Sequence, residues 1–139
     1  RLRPSIHPAT YTDIYARSLY TAEDGDMNKL EQKLVVELTA LPNVRWWHRN
    51  IAKQDFVING FIKHYPDILI MTKSGKLICA ETKGDHLKND DSREKIALGQ
   101  AWSSHAGSQF RYYMVFMEDN NLPIGAVNMR RFAEIVAAL

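Results

Sequence analysis

The sequence predicts an α/β sandwich in one domain, a mixed central sheet of about four to five strands flanked by helices. Three observations carry this. The periodic segments run in the order helix, three or four strands, helix, strand, helix. Two of the strands are apolar at odd and even positions alike, which marks strands buried on both faces with helices above and below. The chain has 139 residues, 45% apolar and 24% charged, a single domain's worth of ordinary globular composition.

Residues Arg1 to His7 read as an arm, and Pro8 with Thr10 opens a short helix through Leu19, so residues 1–22 form an N-terminal arm and short helix. Glu23 to Asp26 is a loop. Asp26 or Asn28 caps a helix running to about Leu41, which Pro42-Asn43 terminates. Val44 to Arg49 is a strand. Phe56-Val57-Ile58 and Phe61-Ile62 flank Asn59-Gly60, the signal for a tight type I′ hairpin. Tyr65 to Met71 and Lys76 to Lys83 form a strand pair around Lys73-Ser74-Gly75. Gly84 to Asp91 is a charged loop, and Asp91 with Glu94 stands in capping-box positions for a helix ending near Gly107. Phe110 to Met117 is a strand, and Asn128 caps a last helix through Leu139. There is no internal repeat and no low-complexity stretch.

Several classes are excluded. The longest apolar runs, Ile68 to Met71 and Ile135 to Leu139, are far short of the roughly 20 residues that span a bilayer. The single cysteine, Cys79, rules out an intrachain disulfide scaffold and a cysteine-rich zinc site, and reads as an inert core residue. The chain opens at Arg1 with no signal peptide, and is read as a domain excised from something longer, cytoplasmic and without a membrane partner. Eighteen Lys and Arg against 16 Asp and Glu give a net charge of +2. The isoelectric point of about 8.7 allows a nucleic-acid partner without indicating one.

The chemistry lies in the strand pair. Asp67, Glu81 and Lys83 sit in or at the ends of strands where an unpaired charge costs several kcal/mol. A three-residue loop Lys73-Ser74-Gly75, closed by glycine in the left-handed region, pairs Thr72 with Lys76. Counting back, Met71 faces Leu77, Leu69 faces Cys79 and Asp67 faces Glu81, with Lys83 on the same face. A two-residue loop at Ser74-Gly75 would set the two acids on opposite faces. The three-residue loop is preferred, because Ser-Gly is a weaker type I′ signal than Asn-Gly. Two carboxylates so placed repel unless one is protonated or a cation lies between them, and hard oxygen ligands suit Mg²⁺, with Mn²⁺ able to substitute. Glu31 falls inside the apolar stripe formed by Leu30, Leu34, Val35, Leu38 and Leu41. Its partner is either that metal site or a lysine or arginine.

Pro66-Asp67 followed by Glu81-Thr82-Lys83 resembles the PD-(D/E)xK nuclease motif. The wider context resembles, over roughly residues 20 to 117, the C-terminal endonuclease domain of the restriction subunits of type III restriction enzymes. That context is Asn28-Lys29-Leu30-Glu31, Val44-Arg45-Trp46-Trp47-His48-Arg49-Asn50, Tyr65-Pro66-Asp67 and Glu81-Thr82-Lys83-Gly84-Asp85-His86-Leu87. The resemblance implies a restriction-endonuclease-like sandwich and Mg²⁺-dependent hydrolysis of double-stranded DNA. It implies Asp67, Glu81 and the backbone carbonyl of Thr82 as metal ligands, Glu31 as the matching first-helix acid, and Lys83 orienting or activating the attacking water. It also implies an ATP-driven helicase-like motor in the full-length subunit and a separate methyltransferase subunit that chooses the target. No GxxxxGK(S/T) run occurs in this chain. A related repair or phage-defence nuclease, or a non-catalytic nucleic-acid-binding or protein-docking domain on the same fold, are the alternatives.

Lys88, Arg93, Lys95, Gln100 and His86, after the active-site strand, are candidate contacts to the DNA backbone, weighed against a solvated helix face. His64 flanks the site as His86 does. Trp46-Trp47-His48-Arg49 offers stacking groups, although strand alternation buries one tryptophan in any case. Arg130 and Arg131 occupy a first helical turn, where the helix dipole disfavours them.

Overall fold

The computed structural model describes residues 2–8, 11–12, 16–84, 90–117 and 121–139. The elements run β1 (Tyr11–Thr12), β2 (Glu23–Asp24), α1 (Lys29–Thr39), β3 (Val44–Arg49), β4 (Ile58–Asn59), β5 (Lys63–His64), β6 (Ile68–Thr72), β7 (Leu77–Lys83), α2 (Asp90–Ala106), β8 (Phe110–Phe116), β9 (Ala126–Asn128) and α3 (Met129–Ala138). Five strands form a mixed sheet in the order β3-β6-β7-β8-β9. The β3–β6–β7 part is antiparallel, and β8 and β9 continue it in parallel. The parallel step from β7 to β8 requires a crossover, which α2 supplies.

Side-chain alternation splits the core into two. Ile68 and Ile70 of β6, Ile78 and Ala80 of β7 and Val115 of β8 pack with Leu34, Val35 and Leu38 of α1 and Phe132 and Val136 of α3. Leu69, Cys79, Met114 and Phe116 point the other way and pack with Ile96 and Leu98 of α2. Helices therefore cover both faces, as the doubly apolar strands require. Trp47 of β3 is fully buried in the first cluster, while Trp46 is partly buried against the second.

The β6–β7 hairpin follows the three-residue loop. Thr72 N–H donates to Lys76 O at 2.9 Å, Met71 faces Leu77, and Leu69 faces Cys79. Gly75 has φ +86°, the left-handed conformation that a glycine adopts without penalty. Asn28 caps α1, its side chain accepting from Glu31 N–H at 2.8 Å. Asn128 caps α3 in the same way through Arg131 N–H at 2.7 Å.

Three expectations are corrected. Tyr11–Thr12 is a strand paired with Glu23–Asp24, not part of a helix from Pro8 to Leu19. Downstream of it, Leu19 N–H donates to Trp47 O at 2.8 Å and Trp47 N–H to Arg17 O at 2.9 Å, so an isolated parallel bridge at Ser18 satisfies the open edge of β3 at Trp47. The Asn59-Gly60 hairpin exists, but Asn59 pairs with Lys63 and the loop is Gly60-Phe61-Ile62. Neither Asn59 nor Gly60 has positive φ. The glycine instead makes room for α2, since a Cβ there would sit 2.3 Å from Leu98 Cδ1. Finally, α2 is already helical at Asp90, so Asp91 is not its N-cap; its carboxylate goes to Lys95 and Lys83. β9 had no counterpart in the sequence reading.

Candidate active site at the open end of the β6–β7 hairpin

Asp67 immediately precedes β6, where the chain is held by Asn50, a residue just after β3 and 1% exposed. Asn50 N–H donates to Asp67 O at 2.8 Å, and its side-chain amide donates to Pro66 O at 2.9 Å and to Phe56 O at 2.8 Å. With its backbone fixed, Asp67 turns its carboxylate across to β7, where Oδ2 accepts from Thr82 N–H at 2.9 Å and Thr82 Oγ1 at 3.0 Å. In an extended strand a residue's N–H and C=O leave on the same side, so the Thr82 carbonyl also faces the β6 side.

Glu81 is buried, and its Oε2 has no hydrogen-bond partner. Burial first, and then the Asp67 charge, pushes the Glu81 carboxyl well above the usual carboxylate range, while Lys95 and Lys83 pull the other way. Lys83 Nζ lies 3.8 Å from Glu81 Oε1, and Lys95 Nζ 3.9 Å from the same atom. Glu31 reaches the site from the first turn of α1. Its Oε2 lies 3.2 Å from Arg49 Nε, an ion pair in which neither atom makes a well-directed hydrogen bond. Burial and then Asp67 raise the Glu31 carboxyl to about 6. Asn28, Glu31, Asp67, Glu81, Thr82 and Lys83 line one open cleft of about 480 Å³.

The structure thus brings together Glu31, Asp67, Glu81, Thr82 and Lys83, and gives Glu31 the arginine partner that stood as its alternative. It sets Lys95 at Glu81 as well. Burial works to lower the Lys95 ammonium, but Glu81 and Asp91 outweigh it and hold it above its ordinary value. Arg93 and Gln100 belong elsewhere, lining a separate cleft of about 440 Å³ with Ile96 and the 121–124 segment. His86 and Lys88 lie outside the described residues. His64 is buried beneath the site, its Nε2 2.7 Å from Tyr112 Oη. Burial, then Lys95 and Lys83, depress it to about 4. Arg131 is compensated by Glu134 one turn on, at 3.3 Å.

Two contributions were missed. The i,i+4 spacing of Asp91 and Lys95 was legible as a helix pair, but their position over Glu81 depends on where α2 crosses the sheet. The role of Asn50 as the anchor of Pro66-Asp67 has no local sequence signal at all.

Among the described residues, no three His, Cys, Asp or Glu side chains converge closely enough to hold a metal ion by themselves. Mg²⁺ does not need three, since it keeps several waters and is usually held by one or two carboxylates. Asp67 and Glu81 supply two hard-oxygen groups, and Glu81 Oε2 is a buried acceptor with nothing to accept. The donor set fits such an ion. Comparison of the chain with family models, curated proteins and solved structures finds no match. The resemblance to the PD-(D/E)xK nucleases therefore rests on the residues themselves.

Proposed function

We propose that the chain is a metal-dependent endonuclease domain that hydrolyses phosphodiester bonds of double-stranded DNA, on a restriction-endonuclease-like sandwich of the type III restriction class. The observation that carries this reading is the meeting of Asp67, Glu81 and Lys83 in one cleft, with a buried Glu81 oxygen left unpartnered. A purely structural core gains little from opposed carboxylates and much from replacing them by apolar groups.

Asp67, Glu81 and the Thr82 carbonyl would hold Mg²⁺, with Glu31 at the margin of the cleft beside its Arg49 partner. A divalent cation there would neutralise charge developing on the phosphate and lower the pKa of water. Thr82 orients Asp67 through two hydrogen bonds, so the carboxylate is fixed before any ligand arrives. Lys83 supplies positive charge on the Glu81 side, orienting the attacking water or stabilising the phosphate. One P–O bond forms to the water oxygen and one breaks. The departing sugar oxygen takes up a proton, and the attacking water gives one to solvent. By the same resemblance, the partners are a helicase-like motor in the full-length subunit and a methyltransferase that selects the target.

The test is conversion of supercoiled plasmid to nicked and linear forms in Mg²⁺ or Mn²⁺. Cleavage that stops in excess chelator and in Asp67→Asn or Glu81→Gln supports the reading. Duplex binding without cleavage, indifferent to chelator, assigns instead a non-catalytic DNA-binding role.

A further inference from the structure

Lys95 is the charged group around Glu81 that the proposed reaction leaves unused. It stands on α2 one turn after Asp91, its Nζ 3.9 Å from Glu81 Oε1 and 3.4 Å from Asp91 Oδ2. Lys83 Nζ, coming from β7, lies 3.8 Å from each of the same two oxygens. Two ammonium groups from different elements thus share one pair of carboxyl oxygens. Two like charges held against the same oxygens repel each other and favour an anion between them.

Lys95 is paired with Asp91 at 3.4 Å, and neither lysine makes a close contact to Glu81. Both stand beyond hydrogen-bond distance from Glu81 Oε1, and the Asp91 side chain is 57% exposed, where an ion pair contributes little. The Lys95 side chain itself retains 22% of its exposure. An anionic oxygen that accepts charge-assisted hydrogen bonds is the ligand two such ammoniums take, and a phosphodiester offers two nonbridging ones. Arg93 and Gln100, on the same helix, line the other cleft. The spacing of α2 therefore singles out Lys95 for the site.

We infer that Lys95 is a second catalytic lysine, contacting the scissile phosphate alongside Lys83; this rests on the reading of the chain as a nuclease. Its ammonium gives up no proton. It acts by charge on a nonbridging oxygen while the water–phosphorus bond forms and the bond to the sugar oxygen breaks.

The experiment pairs amine-reactive labelling, read by mass spectrometry with and without a short DNA duplex, with kinetics of Lys95→Met and Lys95→Arg. The labelling control is Lys73, exposed in the loop at the far end of the hairpin. Duplex should protect Lys95 and Lys83 and spare Lys73. Lys95→Met should lower kcat by about 100-fold, the effect of removing one charge-stabilising donor, with KM changed by less than about threefold. Lys95→Arg, which keeps the charge, should recover part of the loss. If the parent cleaves DNA while Lys95 is labelled as fast in the duplex as without it, or Lys95→Met cleaves like the parent, the second-lysine role falls and the nuclease reading stands. If duplex protects Lys95 but the parent cleaves nothing in Mg²⁺ or Mn²⁺, the nuclease reading falls and takes the catalytic assignment with it.

Discussion

Asp67 and Glu81 are both acids of the same cleft, yet removing each has a different cost. Glu81 is buried with one oxygen unpartnered, and burial and Asp67 disfavour its charge. Glu81→Gln keeps the shape and removes the charge, so it should melt at or above the parent temperature in chelator while abolishing plasmid cleavage. Asp67 accepts from both the N–H and the hydroxyl of Thr82. Asp67→Ala leaves those donors without their acceptor, at a cost of about 1–3 kcal/mol, whereas Asp67→Asn keeps an oxygen for them. Equal melting temperatures for the alanine and asparagine variants would contradict this. His64 gives a pH dependence of defined sign. Its folded value of about 4 lies below the ordinary 6.5, so the folded state binds fewer protons in that window. The stability it contributes is fully present above pH 6.5 and is lost as pH falls through 4, to a total of ~3 kcal/mol. Glu31, raised to about 6, acts in the opposite sense, adding stability as pH falls from 6 toward its ordinary value. The His64 contribution is therefore isolated by difference: between pH 7 and 4.5, His64→Gln should lose less stability in denaturant titration than the parent. Identical slopes would exclude it.

At the scale of elements, β3 does more than close the edge of the sheet. His48 is fully buried with Nδ1 2.7 Å from Glu23 Oε2 and Nε2 2.9 Å from Asp55 Oδ2. Asp55 is also gripped by Arg3, Nε to Oδ1 at 2.7 Å. Burial works to raise the Asp55 carboxyl, but Arg3, His48 and the Ile51 N–H overturn it and hold it below its ordinary value. This cluster ties the N-terminal segment and the 51–55 turn to β3, next to the Asn50 anchor of Asp67. His48→Ala removes a buried partner from Glu23 and Asp55 together, leaving Glu23 only backbone donors, and should cost about 3–5 kcal/mol in urea unfolding; a loss below about 1 kcal/mol would show that Arg3 and the backbone N–H groups satisfy both carboxylates without it. The register of β6 on β7 was legible because turn chemistry is local: Ser74-Gly75 in a three-residue loop fixes every pair behind it, including the approach of Asp67 to Glu81. The caps Asn28 and Asn128 were legible for the same reason. What long-range packing decides was not. Gly60 read as a turn residue because its contact with Leu98 is invisible locally, and the strand at Tyr11–Thr12 exists because Glu23–Asp24 pairs with it. The position of Lys95 over Glu81 is likewise a product of the α2 crossover.

For the whole molecule, none of the described helices is long and apolar enough to cross a membrane, and the net charge of +2 is small. Three of the 16 acids, Glu31, Asp67 and Glu81, line the cleft, so a divalent cation bound there would leave the working surface somewhat more basic than that figure. Binding to the folded state alone also stabilises it. Mn²⁺ at 100 times its dissociation constant should add about 2.7 kcal/mol to the parent and nothing to Glu81→Gln, read as a shift in melting temperature. Equal shifts in both would move the ion away from Glu81. The most direct measurement of the central claim is a crystal structure of the chain grown in Mn²⁺, with the ion located by its anomalous scattering. The account predicts a peak between Asp67 and Glu81, about 2.0–2.2 Å from a carboxylate oxygen of each, with Glu81 Oε2 no longer unpartnered. A cleft free of any anomalous peak, with Glu81 drawn instead into hydrogen bonds with Lys83 and Lys95, would contradict it.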